Sequence, residues 1–278
     1  MLSKQKNILF VKMQGAGNDC IVIDCLKSKV QNPQRLAKKM CDRRFGIGAD
    51  QLLLLFKSRK ADFKMQIFNA DGSEAEMCGN GIRCLARYIK DKKYTQKKEM
   101  TIETLAGIRE VKVSAKNVEV NLGEPKMKGK EIPVHLSGRI INRPLKIDNK
   151  DFRITCLSLG NPHCIIFQEN LDNLAIEKFG PLLENYHLFP KRTNVSFVNV
   201  VSLNELKVRV WERGCGETLA CGTGAAASLI ASVLNGFTER KAKIQLPGGK
   251  LEVEWDRETN FVWLSGPAEA ICEGQYYI

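Results

Sequence analysis

Two stretches decide the reading of this chain: FNADGSEAEMCGNG at residues 68–81 and WERGCGETLACGTG at residues 211–224. Laid one over the other, they match Phe68 with Trp211, Glu74 with Glu217, Cys78 with Cys221, Gly79 with Gly222 and Gly81 with Gly224, at a constant offset of 143 residues. The offset persists outside them, carrying Gly17-Asn18 onto Gly160-Asn161, Gln51 onto Asn194 and Gly123 onto Gly266. Apolar positions follow it too, with Val11 and Met13 falling on Ile154 and Cys156. Unrelated segments do not hold register in this way, so the chain reads as a duplication. The halves are expected at 1–124 and 125–270, with residues 271–278 lying beyond the repeat.

Within each half the pattern is one of short strands with one or two helices, an α+β class. Asn32-Pro33 marks a helix start, asparagine as cap and proline in the first turn, and the helix is expected to run to about Met40. Alternation predicts strands at 101–103, 110–113, 118–120, 207–210, 242–246 and 251–255. The segment after Cys221, AAASLIASVLN, is apolar on nearly every side and therefore reads as a buried helix, with Gly236 as its C-terminal stop. Its counterpart after Cys78 carries Ile82, Leu85 and Ile89 on one face and ends in a charged tail. Two pseudo-symmetric halves, each a curled mixed or antiparallel sheet around a central helix, is the simplest arrangement.

Composition limits the functional classes. The chain has 278 residues and a net charge of +12. The lysine clusters at 90–98 and 126–130 would suit a nucleic-acid binder, but no aromatic platform is interleaved with them, so a solvated lysine-rich surface is the simpler reading and no nucleic-acid partner is expected. The longest apolar runs, 52–56 and 225–234, fall short of the roughly 18 residues of a membrane span. Residues 1–13 offer four consecutive apolar residues, against roughly 7 to 15 in a signal-peptide core. A cytoplasmic protein is expected, with no membrane partner. Its ten cysteines then read as reduced thiols rather than a disulfide framework. With three histidines, none at finger-like spacing from a cysteine, no metal site is expected.

In each half a cysteine is followed by Gly-x-Gly and a helix, which puts the thiol at a helix N-terminus among unpaired backbone N–H groups. Such a position binds anions and favours a thiolate, by about one unit from a free thiol near 8.5. Most cysteines are small buried hydrophobes, and eight are read so here. Cys78 and Cys221 differ because they alone occupy equivalent places in both halves. A phosphatase loop fits worse: Cys78 and Arg83 have four residues between them instead of five, and the second copy has Ala227 at the corresponding distance. Two acid/base groups related by pseudo-twofold symmetry suit inversion of a stereocentre, one thiolate removing a proton and the other thiol delivering one from the opposite face. A carboxylate on the reacting carbon would sit at the helix N-termini, whose N–H groups act like an oxyanion hole.

The segments KMQGAGND, GIGADQ, FNADGSEAEMCGNGIRC, LGNPH, TNVSF and WERGCGETLACGTGA resemble the diaminopimelate epimerase family, in order and along nearly the whole chain. The resemblance implies an isomerase that interconverts LL- and meso-2,6-diaminopimelate in lysine and peptidoglycan biosynthesis, as a homodimer and without a cofactor. It implies catalytic roles for Cys78 and Cys221, and carboxylate-binding helix ends at Gly79, Asn80, Gly222 and Thr223. Substrate amides fall on Asn18, Gln51, Asn69, Asn161 and Asn194, and further contacts on Glu212 and Arg213, the arginine suiting bidentate capture of the distal carboxylate. His163 and Glu212 are implied to modulate the thiols. Residues 271–278 are expected to return to the first half. Gln14 and Cys20 depart from the family's usual histidine and phenylalanine.

Read singly, these residues have plainer roles: asparagine beside glycine is a turn residue, Glu212 and Arg213 a surface pair, and His163 a core histidine. The alternatives at the level of function are a racemase of the same fold acting on proline or another acid, and a basic nucleic-acid-binding protein. A ring substrate has no distal carboxylate for Arg213, and a salt-dependent gel shift would identify the second.

Overall fold

A computed structural model describes residues 7–27 and 29–277. The N-terminal residues 1–6, which entered the signal-peptide reading, and Ile278 lie outside them. The chain divides into two compact units, Met1–Val120 with Gly266–Ile278, and Asn121–Ser265.

In the first unit the order is β1 (Asn7–Gly15), β2 (Asn18–Asp24), α1 (Pro33–Met40), β3 (Gln51–Phe56), β4 (Phe63–Asn69), β5 (Glu74–Ala75), α2 (Gly79–Asp91), β6 (Glu99–Thr104), β7 (Gly107–Val113) and β8 (Val118–Asn121). The second has β9 (Ile140–Ile147), β10 (Lys150–Ser158), β11 (Pro162–Phe167), α3 (Ile176–Glu184), β12 (Asn194–Ser202), β13 (Glu205–Glu212), β14 (Gly216–Thr218), α4 (Gly222–Leu234), β15 (Lys241–Leu246), β16 (Gly249–Trp255) and β17 (Val262–Gly266). The final strand, β18 (Glu269–Tyr277), pairs antiparallel with β1 from Asn7 opposite Tyr277 to Gln14 opposite Glu269. The crossings between units therefore fall at 120/121 and 265/266, a few residues before the ends of the sequence repeat.

The strands run mixed in each unit. Antiparallel pairs are interrupted by two parallel ones, β2 with β3 and β4 with β6 in the first unit, β11 with β12 and β13 with β15 in the second. The offset of 143 is kept in the hydrogen-bond register. Cys20 faces Gln51 as His163 faces Asn194, and Ile67 faces Ala75 as Val210 faces Thr218. The helices α2 and α4 begin at residues 79 and 222 and end at residues 91 and 234, the same offset again.

Local chemistry accounts for these elements. Asn32 Oδ1 accepts from Arg35 N at 3.1 Å, Pro33 opens α1, and the helix buries Leu36, Ala37 and Met40. Leu52–Leu55 are buried on both faces of β3, as befits a strand parallel to one neighbour. All six predicted strands lie inside observed ones, β6, β7, β8, β13, β15 and β16. Gly236 takes φ +74° just after α4, the left-handed stop that favours glycine.

Each central helix is wrapped by the strands of its own unit. The helix α2 packs on β1, β2, β3, β4, β7 and β18, and α4 on β10, β11, β12, β13, β15 and β16. The α4 side chains from Ala225 to Ser232 are buried, which is why that segment had to be apolar all round.

Candidate active site

Cys78 is the N-cap of α2, in an extended conformation, and its Sγ accepts from Gly81 N at 3.3 Å. The glycine is needed, since a Cβ at Gly81 would stand 3.2 Å from Leu53 and 3.4 Å from Cys78 Cβ. Cys221 is likewise the N-cap of α4, and a Cβ at Gly224 would stand 3.3 Å from its Sγ. The Gly-x-Gly spacing thus clears space at the helix mouth and leaves the backbone N–H groups facing the thiol.

In the first unit the Cys78 thiol donates to Asn18 Oδ1 at 3.8 Å. The other end of that amide donates to Asp50 Oδ2 at 2.8 Å, and Asp50 and Asp19 are bound together by Arg43. Burial would raise the Asp19 carboxyl, but its bonds to Arg43 and Lys12 outweigh this and hold it below the usual range. Gln51 Nε2 donates to Asn69 Oδ1 at 3.0 Å, and Asn69 Nδ2 to Ser73 Oγ at 3.0 Å. The carbonyl oxygen of Gln51 is buried with no partner, an acceptor available to a donor from outside. Asn80, buried at the start of α2, receives a bond from Arg83.

The second unit links its site residues more tightly. His163 Nε2 pairs with Asn161 Oδ1 at 3.0 Å, Asn161 Nδ2 donates to Thr223 Oγ1 at 3.2 Å, and Thr223 Oγ1 lies 3.6 Å from Cys221 Sγ. Glu212 accepts from the thiol and also from Thr218 Oγ1 at 2.6 Å. Asn194 Nδ2 donates to Pro162 O at 2.9 Å while its Oδ1 accepts from Arg213 N at 3.0 Å, so this amide is committed at both ends and fixes the backbone of Arg213. The Arg213 guanidinium is exposed and donates to Lys191 O at 3.2 Å.

A thiolate-favouring helix end was expected for both cysteines, and for Cys221 the structure corrects it. Burial, then the charge of Glu212, push this thiol well above its ordinary value, against the bonds from Thr223 and Gly224 that act the other way. A helix end shifts a pKa by about one unit, and full desolvation beside a carboxylate exceeds that. His163 behaves similarly: it is fully buried, and burial followed by the nearby Arg213 charge depress it to about 3. The imidazole is therefore neutral. With Nε2 facing a carbonyl oxygen it carries its proton there, which leaves the unpartnered Nδ1 as the bare nitrogen.

This has a consequence for stability. Between the folded value of about 3 and the ordinary 6.5, the unfolded chain binds a proton at His163 that the folded chain does not. Stability from this group is fully present above 6.5 and falls as pH drops toward 3. Urea unfolding at pH 7.5 and pH 5 is expected to give a lower midpoint at pH 5, with a smaller difference in His163→Gln. An unchanged difference in that variant would remove His163 as the cause.

Sequence reasoning missed three supporting side chains. Asp50, inside GIGADQ, orients Asn18. Arg83, inside GNGIRC, bonds Asn80. Glu184, at the end of α3, accepts from Trp211 Nε1 at 2.8 Å and Gly214 N at 2.9 Å, holding the turn that presents Glu212 and Arg213. The first two lay in motifs already singled out; Glu184 has no local signal.

The family model for diaminopimelate epimerase matches residues 10–128 and 155–271. The chain is 51% identical over 272 residues to a diaminopimelate epimerase of Acetivibrio thermocellus, covering 96% of this chain and 97% of that one. It is 49% identical over 273 residues to one of Methanococcus maripaludis, covering 96% and 98%. In fold it is similar to a Bacillus anthracis phenazine biosynthesis protein of the PhzF family, with TM-score 0.72, 19% identity and coverage of 98% and 100%. It is also similar to a hydroxyproline epimerase of Agrobacterium vitis, with TM-score 0.71, 13% identity and coverage of 100% and 94%. At such low identity these two show the fold alone, whereas about half of the aligned positions agree with the named enzymes, and the family match spans both Cys-Gly-x-Gly helix starts. The chain belongs to the diaminopimelate epimerase family.

Proposed function

We propose that this isomerase interconverts LL- and meso-2,6-diaminopimelate for lysine and peptidoglycan synthesis without pyridoxal phosphate or metal, with Cys78 and Cys221 acting on opposite faces of one α-carbon. One observation carries the reading: each unit presents a cysteine at the mouth of a buried helix, at the same place in the same strand register. One thiolate takes the α-proton and the other thiol returns a proton to the opposite face, which inverts the centre and leaves the thiol and thiolate exchanged. The N–H groups at Gly79, Asn80, Gly222 and Thr223 receive the α-carboxylate, which gains charge as the carbanion forms. Asn18, Gln51, Asn69, Asn161, Asn194 and Glu212 bind the amino-acid groups, and Arg213 holds the distal carboxylate. The exposed guanidinium of Arg213 favours such a two-ended acid over a ring amino acid. His163 and Glu212 tune the thiols.

We assign the enzyme to the cytoplasm as a homodimer. No helix among the described residues is long and apolar enough to cross a membrane. The exposed Leu9, Ile271 and Tyr277 on the paired strands β1 and β18 support self-association.

The test is exchange. With LL-diaminopimelate in deuterated water, reductant, and no added cofactor or metal, the meso product is expected to carry one deuterium at the inverted α-carbon, read by NMR and mass spectrometry. Absence of exchange, or dependence on added pyridoxal phosphate, would overturn the mechanism.

A further inference from the structure

Arg83 is the largest fully buried side chain among the described residues. Its side chain turns back along α2 toward that helix's own start, where Nη1 donates to Gly79 O at 3.1 Å and Nη2 to Asn80 Oδ1 at 2.8 Å, while Nε donates to Pro267 O at 3.4 Å. All three acceptors are neutral oxygens, and no carboxylate pairs with the guanidinium among the described residues. Space has been left for it, because a Cβ at Gly15 would stand 3.2 Å from its Nη2.

A buried cation without a counter-anion is among the most costly things a fold can hold. Hydrogen bonds to carbonyl oxygens satisfy its donors but not its charge. The groups whose negative charge would offset it are two thiols, Cys84 and Cys78. Cys84 is fully buried and hydrogen-bonded to Cys20, itself fully buried and pushed well above the ordinary range by that bond and by desolvation. Cys78 is half-buried, opens onto the helix mouth and accepts from Gly81 N at 3.3 Å, while the Asn18 Oδ1 to which its protonated form donates lies at 3.8 Å, a weak contact that holds the proton loosely. Of the two, Cys78 is the thiol that reaches the surface.

Resting on the two-thiol reading above, we infer that Arg83 is a positioning residue whose fixed charge makes Cys78 the resting thiolate, and so breaks the symmetry of the duplicated site. The residue 143 positions on is Ala226. The second unit thus lacks the cation and instead sets Glu212 against its thiol. One cysteine faces a buried positive charge, the other a carboxylate. The free enzyme then starts as Cys78 thiolate and Cys221 thiol. The proton leaves the substrate's α-carbon for Cys78 while Cys221 gives its own to the opposite face. Cys221 is left as a thiolate beside Glu212, an arrangement that favours return of the proton from Cys78.

Within its unit Arg83 and Cys20 act electrostatically with Cys78, Cys84 lies on the same helix, and Asn18 links Cys78 to Asp50, which Arg43 joins to Asp19. The two carboxylates are engaged by Lys12 and Arg43, so the guanidinium is the uncompensated charge.

The experiment is alkylation of the substrate-free enzyme with iodoacetamide from pH 5 to pH 10, with the rate at each cysteine read by peptide mass spectrometry. In the wild type, Cys78 is expected to titrate at least one unit below Cys221. In Arg83→Met it should rise by a unit or more, roughly a tenfold slower alkylation at pH 7, with Cys221 unmoved, and Arg83→Lys should restore most of the difference. Cys84→Ala should leave the Cys78 titration in place. The inference is overturned if Cys78 titrates with or above Cys221 in the wild type, if it is unmoved in the Arg83 variants, or if Cys84→Ala lowers it by a unit, which would put the anion on Cys84. Should Arg83→Met fail to fold, Arg83→Lys and the wild-type comparison still decide. Because alkylation is read without substrate, this result is independent of whether the chain turns over diaminopimelate.

Discussion

Cys221→Ala and Cys78→Ala are each expected to lower kcat/KM for diaminopimelate by about 10²–10⁴-fold, in both directions of the reaction, because inversion needs a proton removed on one face and another delivered on the other. Losing either group stops the whole cycle, so the double variant should be little worse than the singles. Folding should survive. Cys78→Ala removes a cap that accepts one N–H, worth about 0.5–2 kcal/mol, and the contact of Cys221 with the Gly224 N–H is too poor in geometry to count as a cap. Steady-state assays in both directions, with thermal unfolding as the control, provide the check. A folded alanine variant within tenfold of wild type would exclude that thiol from the chemistry.

Arg213→Ala is expected to show the second largest effect. Its guanidinium is exposed in the free chain and makes one bond, to Lys191 O, so its removal should leave stability within about 0.5 kcal/mol. With substrate bound, the same group would be desolvated against the distal carboxylate, where losing one partner of a charged pair costs about 2–5 kcal/mol. The low end of that range is expected because the arginine begins in water, giving about a 30-fold fall in kcat/KM. Most of it should appear in KM, since the distal carboxylate does not change charge during the reaction. Arg213→Lys should recover only part, because a lysine cannot match the carboxylate as a planar fork. Full kcat/KM in Arg213→Ala would reject the distal contact and reopen the ring-substrate alternative.

The two networks differ in how they would respond to substrate. In the second unit Asn194 is held at both ends by backbone groups, and His163, Asn161, Thr223 and Cys221 form one linked chain. In the first unit Gln51 keeps a buried carbonyl oxygen free. The first offers an open acceptor and the second a prearranged frame.

Much of this was written in the sequence by itself. The duplication fixed two equivalent units and placed both thiols, because a repeat must reproduce its hydrophobic pattern to fold twice, and that pattern carries the helix starts with it. The span of α1 could be read from Asn32, Pro33 and the spacing of Leu36, Ala37 and Met40, all local chemistry. The strands from β6 to β8 and from β15 to β16 alternate because one face is buried and the other is not. Tertiary structure alone decided the rest. The helix α3 occupies the place of α1 one offset on, yet it has no side-chain cap and contains Pro181, so nothing local announces it. It exists because Ile176 and Leu183 are buried and because Gly180 lets it lie against Trp211, where a Cβ would come within 2.4 Å of the indole. The ionisation of the thiols was equally out of reach. A helix start looks the same in both copies, but burial and the way the fold turns nearby side chains differ, with Glu212 brought against Cys221 in one unit and Arg83 folded back over the start of α2 in the other. Those are properties of enclosed space, and one-dimensional spacing does not encode them.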